Sequence, residues 1–345
     1  MTRPLNHAFL SSPKGFANRH VLLLAEPPAN INNPRLPRHI KDVRALRFGM
    51  STPSPLLQSE YESVESDYQS VESAYRVAFG DIQPGTQGDR TAGAQVVDVR
   101  YVHAPGRFPL FWLPYKQNLT RKITLKDKRP PHVIRRTGGE ARIFFTSALN
   151  GCSVFIEGSE EEPTVYHLNA GSTRITQSRE PTQTDLHDDR IHRTLEMERR
   201  FNQLPRPSNM RSATPRQREQ MPQPGQLHAG QYLPNYFLDP QQSTGEEAFN
   251  QHTVRSAERL ERIAPTSVQR HQVNHSALVF GWKSHDTGRW EFWLQTRARV
   301  DLTTTNGLTT TYVGNGLTRF WPGEHNHLFV REDTSQQTVV TLRRL

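Results

Sequence analysis

The chain has 345 residues and a mass of 39.6 kDa, enough for one large domain or two ordinary ones with a real core. A hydrophobic share of 34% and a mean hydropathy of -0.73 are low for a compact protein of this length, so part of the chain is expected to be loop or tail. Lys+Arg 43 against Asp+Glu 34 gives a net charge of +9, which attracts acidic partners, and the single cysteine, Cys152, excludes an internal disulfide framework and a cysteine-rich zinc site.

Residues 1–92 read as a flexible leader, with Pro27, Pro28, Pro34, Pro37, Pro53 and Pro55 among Asn, Ser and Arg. Its longest early apolar run, Val21 to Ala25, is too short for a signal core or a membrane span, and no membrane span is expected elsewhere. Within it, Ser59-Glu-Tyr-Glu-Ser-Val-Glu65 is repeated as Ser66-Asp-Tyr-Gln-Ser-Val-Glu72. Tyr61, Val64, Tyr68, Val71 and Tyr75 recur at three- and four-residue steps, predicting a short acidic helix with one apolar stripe. Removing this leader is expected to leave a folded domain.

From about Gln95 the texture becomes β-like. Val96 to Val102, Phe108 to Leu113, Lys122 to Leu125 and Ala141 to Ser147 are short β-branched and aromatic runs bounded by Gly, Pro or charge. A helix is predicted from Thr184 to Leu204, with Leu186, Ile191, Leu195 and Phe201 as its stripe. A second begins at Ser243 or Thr244 and stops before Pro265. Between them, the Pro- and Gln-rich stretch 205–242 reads as a long surface loop. Ala277 to Leu342 is strongly β, with turn signals at Asp286-Thr-Gly288, Asn306-Gly307 and Asn315-Gly316. The sum is an α+β domain over residues 93–345 with a largely antiparallel sheet.

The stretch that carries chemistry runs from Thr146 to Asn169. Cys152 opens an alternating strand, Glu157 to Glu162 is an acidic turn, and Val165 to Leu168 is the return strand. A turn centred between Ser159 and Glu160 sets Cys152 opposite His167, where a thiol and an imidazole share a proton and the attacking thiolate forms. That register also puts Val154 and Val165 on the thiol's face, with Ser153 and Tyr166 on the other. Gly151, with Asn150 before it, opens the backbone to a substrate carbonyl, and nearby N–H groups are candidate oxyanion donors. Thr146 and Asn169 are the two candidates for orienting the imidazole.

Leu149-Asn-Gly-Cys152, with Thr146 six residues before the cysteine and His167 fifteen after it, resembles the glutamine-deamidase superfamily of bacterial cytotoxic necrotizing factors, Burkholderia lethal factor and the chemoreceptor deamidase. The resemblance covers residues 146–169, and Asn150 stands where the toxins have serine. It implies a mixed β-sandwich with flanking helices and an enzyme that needs no cofactor or metal. Cys152 would attack the side-chain amide of a glutamine in a host protein, His167 would protonate the departing ammonia, and Thr146 would position the imidazole. The implied targets are Rho-family GTPases or a translation initiation helicase, reached in the host cytoplasm by a protein secreted from a bacterium, with the leader serving delivery.

A second class of function remains: a basic, non-catalytic protein whose leader and β-domain bind a protein or nucleic acid. Nucleic acid is the less expected partner, because no helix-turn-helix, zinc finger or aromatic-basic RNA signature accompanies the charge. A thiol at the floor of an open cleft favours the enzyme, and a sealed thiol favours the binder. Glu324, His325 and His327, and His187 with His192, read as solvated turn or helix residues before metal ligands. Trp282, Trp290, Trp293 and Trp321 read as core, and Arg206 to Arg218 as a solvated loop.

Overall fold

The computed structural model describes residues 3–24, 78–84, 95–101, 108–113, 120–127, 131–136, 139–171, 182–204, 206–233, 251, 253–258, 268–304, 307–323, 329–334 and 337–342. The fold is α+β, with a mixed, largely antiparallel β-sandwich at its core and flanking helices. The larger sheet contains β1 (His20–Leu24), β2 (Ala78–Pro84), β3 (Gln95–Tyr101), β4 (Phe108–Leu113), β6 (Ile143–Thr146), β10 (Val268–Lys283), β11 (Trp290–Thr304) and β12 (Gly307–Trp321). Their spatial order is β1-β3-β2-β4-β6-β10-β11-β12, with the β1/β3 and β4/β6 pairs parallel and the rest antiparallel. The smaller sheet has the order β5-β8-β7-β9, from β5 (Thr120–Thr124), β7 (Ser153–Gly158), β8 (Pro163–Leu168) and β9 (Gly225–Leu227). β13 (Phe329–Thr334) and β14 (Gln337–Leu342) form a separate hairpin.

Side chains alternate across a strand, and here both faces of the central strands are covered, which is why they read as continuous apolar runs. Phe111 and Leu113 of β4, Phe144 of β6, Val279 of β10 and Phe292 of β11 point between the sheets, against Ile123, Val154, Ile156 and Val165. Leu110, Trp112, Phe145 and Phe280 point the other way, beneath Phe9 and Phe16 of α1 (Arg3–Ser11) and α2 (Pro13–Arg19). The outer face of the smaller sheet, with Phe155, Tyr166 and Leu168, is covered by Met197 and Phe201 of α4 (Gln183–Gln203); Phe155 stacks on Phe201 with centroids 4.1 Å apart. A reciprocal cap between Thr182 and Asp185 starts α4, and Leu195 of the expected stripe is exposed. Other helices among the described residues are α3 (Pro131–Arg136), α5 (Ser208–Ser212) and α6 (Pro215–Glu219). Residues 253–258, within the second helix expected from Ser243 or Thr244, are helical, while 243–250 lie outside the described residues.

Three expectations need correction. Residues 3–24 are not a flexible leader: Phe9, Phe16 and Leu22 are fully buried, and β2 (Ala78–Pro84), also inside the expected leader, pairs with β3 and β4. The Gln295 side chain accepts from Leu22 N and donates to the carbonyls of Ala17 and His20, while Arg297 donates to the Leu22 carbonyl, so β11 grips the N-terminal segment through its backbone. The acidic repeat at residues 59–75 lies outside the described residues. Residues 205–242 are not all surface loop, since β9 joins the smaller sheet and Leu227, Ala229 and Tyr232 enter the core. Finally, Asn315-Gly316 is no turn: Thr296 pairs with Gly316 and Arg297 with Gly314, so Asn315 is the extra residue of a bulge inside β12. The turn signal at Asp286-Thr-Gly288 does join β10 to β11; of the signal at Asn306-Gly307, Gly307 is the first paired residue of β12 and Asn306 lies outside the described residues.

These contacts set the consequence of truncation. Deleting residues 1–24 uncovers Leu110, Trp112, Phe145 and Phe280, and removing a single buried phenylalanine is worth about 3–5 kcal/mol. The truncated chain is expected to lose its cooperative thermal transition and to bind a dye specific for exposed apolar surface. A sharp transition near that of the full chain would show that the N-terminal segment is dispensable.

Candidate active site

The site is made where the chain crosses from one sheet to the other. β6 ends at Thr146 in the larger sheet and β7 begins at Ser153 in the smaller one. Midway, Leu149 N donates to Ala277 O at 2.7 Å and Ala277 N to Leu149 O at 3.0 Å, pinning the crossing to β10. Gly151 has φ 91, in the left-handed region that favours glycine, and turns the backbone so that Cys152 enters the space between the sheets.

The β7/β8 hairpin forms, but two residues away from the expected register. Val154 pairs with His167 and Ser153 with Leu168, and the ladder closes with Gly158 opposite Pro163. Pro163 has no N–H and takes the first position of the return strand, while Gly158 ends β7 at φ 105, so the turn occupies residues 159–162. A shift of two keeps every side chain on its expected face. Val154 and Val165 share the inner cluster with Cys152, and Phe155 and Tyr166 share the outer one. It does change the thiol's neighbour: Asn169 Nδ2 donates to Cys152 Sγ at 3.4 Å. His167 stands one pair further in, a diagonal neighbour at about 7–8 Å in backbone terms rather than a direct one.

The electrostatics follow from burial. Cys152 is 2% exposed, and desolvation raises its pKa; the Asn169 amide, the Asn150 backbone N–H and the Arg193 guanidinium pull it back down. Arg193 reaches the site from α4, where its Nε donates to Ala170 O at 2.6 Å. His167 is lowered to about 3 by burial and by Arg121, its cross-strand partner on β5, so the ring is neutral at ordinary pH and, while buried, a weak base. Thr146 does not turn its hydroxyl hydrogen to the imidazole, since that hydroxyl donates to the Ser147 carbonyl at 2.7 Å. Nor is the Gly151 N–H open, because it donates to the Tyr232 hydroxyl at 2.9 Å. Among the described residues, the N–H groups bonded to the sulfur belong to the Asn150 backbone and the Asn169 side chain.

Two further side chains were not expected from the sequence. Tyr232 also donates to the Cys152 carbonyl at 2.8 Å, and His228 Nδ1 lies 3.0 Å from Ser153 Oγ on the hairpin's outer face. Both lie in the proline-rich stretch; the signal that marks them is the alternation of Leu227 and Ala229 after Gly225, a short strand hidden by its prolines. A cleft of about 480 Å³ lies at the hairpin's turn, lined by Glu160, Glu161, Gln217, Gln220 and Arg289 among others. With about 3.3 Å per residue, that is roughly 20 Å along the strands from Cys152.

Among the described residues, no three of His, Cys, Asp and Glu are grouped to hold a metal ion, and no helix is long and apolar enough to cross a membrane. Glu324, His325 and His327 lie outside the described residues. Of the tryptophans, Trp290 and Trp321 are fully buried, as expected, and Trp282 stacks on Trp293 at 5.5 Å. No protein-family model matches the chain, and no curated protein matches it.

The buried imidazoles make stability depend on pH. His167 and His228 both have folded values of about 3, against 6.5 when exposed, so between these pH values the unfolded chain holds more protons. Stability is therefore full above 6.5 and falls as pH drops toward 3, by about 1.4 kcal/mol per pH unit for each ring. Glu157, raised by burial, works in the opposite sense at the acid end. Urea unfolding at a series of pH values is expected to show this decline, with His228→Gln removing about half of it. A flat profile below pH 6.5 in the wild type would mean that the rings are hydrated.

Proposed function

We propose that this protein is a cysteine-dependent protein glutamine deamidase, a bacterial toxin or effector acting on a host protein such as a Rho-family GTPase or a translation initiation helicase. One observation carries the reading: the lone thiol accepts N–H groups from Asn150 and Asn169 while a neutral imidazole, His167, occupies the next position on the same face. In the reaction, the Cys152 proton passes to His167 and the sulfur bonds to the carboxamide carbon of glutamine. The Asn150 and Asn169 N–H groups stabilise the oxygen that becomes negative. The carbon–nitrogen bond then breaks, ammonia leaves with the proton held by His167, and water hydrolyses the thioester to give glutamate and restore the thiol. Asn169 replaces Thr146 as the polar partner of the pair. A glutamine reaches the sulfur only once the cover over Cys152 opens.

That cover favours a second reading. A thiol 2% exposed in an apolar cluster suits a structural cysteine, and with it a basic, non-catalytic protein that binds an acidic partner. Mass spectrometry of host proteins exposed to wild type or Cys152→Ser separates the two. The deamidase reading expects glutamine converted to glutamate by the wild type alone, with His167→Gln slower by about 10²–10⁴ and Asn169→Ala by about 10²–10³. Identical spectra for wild type and Cys152→Ser would leave the binder.

A further inference from the structure

We propose that Tyr232 is a positioning residue for the nucleophile, its hydroxyl acting as a two-way clamp on the turn that aims Cys152. The phenol oxygen accepts from Gly151 N at 2.9 Å and its hydrogen goes to the Cys152 carbonyl at 2.8 Å, so one atom bridges the backbone on both sides of the Gly151–Cys152 peptide. Gly151 is the residue with positive φ in this turn, the position least restrained by its own side chain. The far side of the turn is already held by Leu149 against Ala277. What the tyrosine adds is the orientation of the last two peptide planes, those next to the Asn150 N–H that points at the sulfur. The ring is 5% exposed and packed in the same inner cluster as Cys152, so the hydroxyl is delivered by a side chain that is itself fixed.

A neighbouring bond provides the internal control. Ser153 Oγ and His228 Nδ1 lie 3.0 Å apart, and they join the same two segments, but on the face of β7 turned away from the thiol. If the 225–233 segment only stabilised the fold, loss of either link would act alike. If Tyr232 sets the thiol, only loss of its hydroxyl changes the chemistry at sulfur. The catalytic part of this proposal rests on the deamidase reading; the geometric part does not.

The test uses the full chain, in which Cys152 is the sole cysteine and every alkylation event therefore reports the site. Iodoacetamide labelling is followed by mass spectrometry alongside thermal unfolding, for wild type, Tyr232→Phe and Ser153→Ala. Tyr232→Phe keeps the ring and removes both bonds, so its labelling is expected to be about tenfold faster from local opening of the turn. Ser153→Ala is expected to lower the melting temperature and leave labelling at the wild-type rate. With a purified Rho-family GTPase as substrate, Tyr232→Phe is expected to lose about tenfold in kcat with KM unchanged. Labelling of Tyr232→Phe at the wild-type rate, or equal acceleration in Ser153→Ala, would overturn the clamp. Absence of deamidation by the wild type, on the GTPase and on a translation initiation helicase alike, would instead overturn the deamidase reading, and the labelling contrast would still decide the role of Tyr232.

Discussion

The pair of backbone hydrogen bonds between Leu149 and Ala277 is the constraint from which the rest of the site follows. A chain crossing between two packed sheets takes its backbone through an apolar space, where an unpaired N–H or carbonyl is costly. β10 supplies both partners at the midpoint. With Leu149 anchored there, the turn that follows has few residues in which to reach β7, and a left-handed glycine is one of the few ways to do so. The thiol consequently enters between the sheets instead of facing solvent.

The charges around the thiol and the imidazole are not symmetric. Arg193 stands on the sulfur's side and favours a negative sulfur, whereas Arg121 stands on the imidazole's side and opposes a positive ring. Burial opposes both charged forms. The resting site is thus a neutral thiol beside a neutral base, and an ion pair between them becomes favourable only when polar groups replace the apolar surroundings. Asn150 and Asn169 are the polar groups already in place. This distinguishes the arrangement from a preformed thiolate–imidazolium pair, in which the charge is present before any ligand arrives.

Much of this was legible from residue order. The hairpin, its faces and the inward position of Cys152 and His167 follow from alternation, which survives a shift of two residues. The register itself depends on where a turn begins, and there the absence of an N–H on Pro163 and the positive φ of Gly158 outweighed the apparent centre of the acidic run. α4 was legible because its apolar stripe recurs within one segment, although Leu195 of that stripe faces solvent. The N-terminal segment was not, because its binding energy comes from Gln295 and Arg297, nearly the whole chain away, and from two phenylalanines set among polar residues. β9 was masked by composition, as its alternation is brief and follows directly on Pro222 and Pro224.

The grip of β11 on the N-terminal segment has a consequence for how the protein is made. Leu22 and Gln295 are 273 residues apart in sequence, so α1 and α2 meet Phe108 of β4 and Phe145 of β6 well before the strand that grips β1 has been made. β1 meanwhile waits for β3, and a parallel pair cannot be joined by a tight turn. Such high contact order predicts slow closure of the larger sheet, with Phe9, Phe16 and the strand face that receives them exposed to water or to a chaperone in the interval. The same separation makes the finished fold cooperative, because the 3–24 segment and β11 are held by one another.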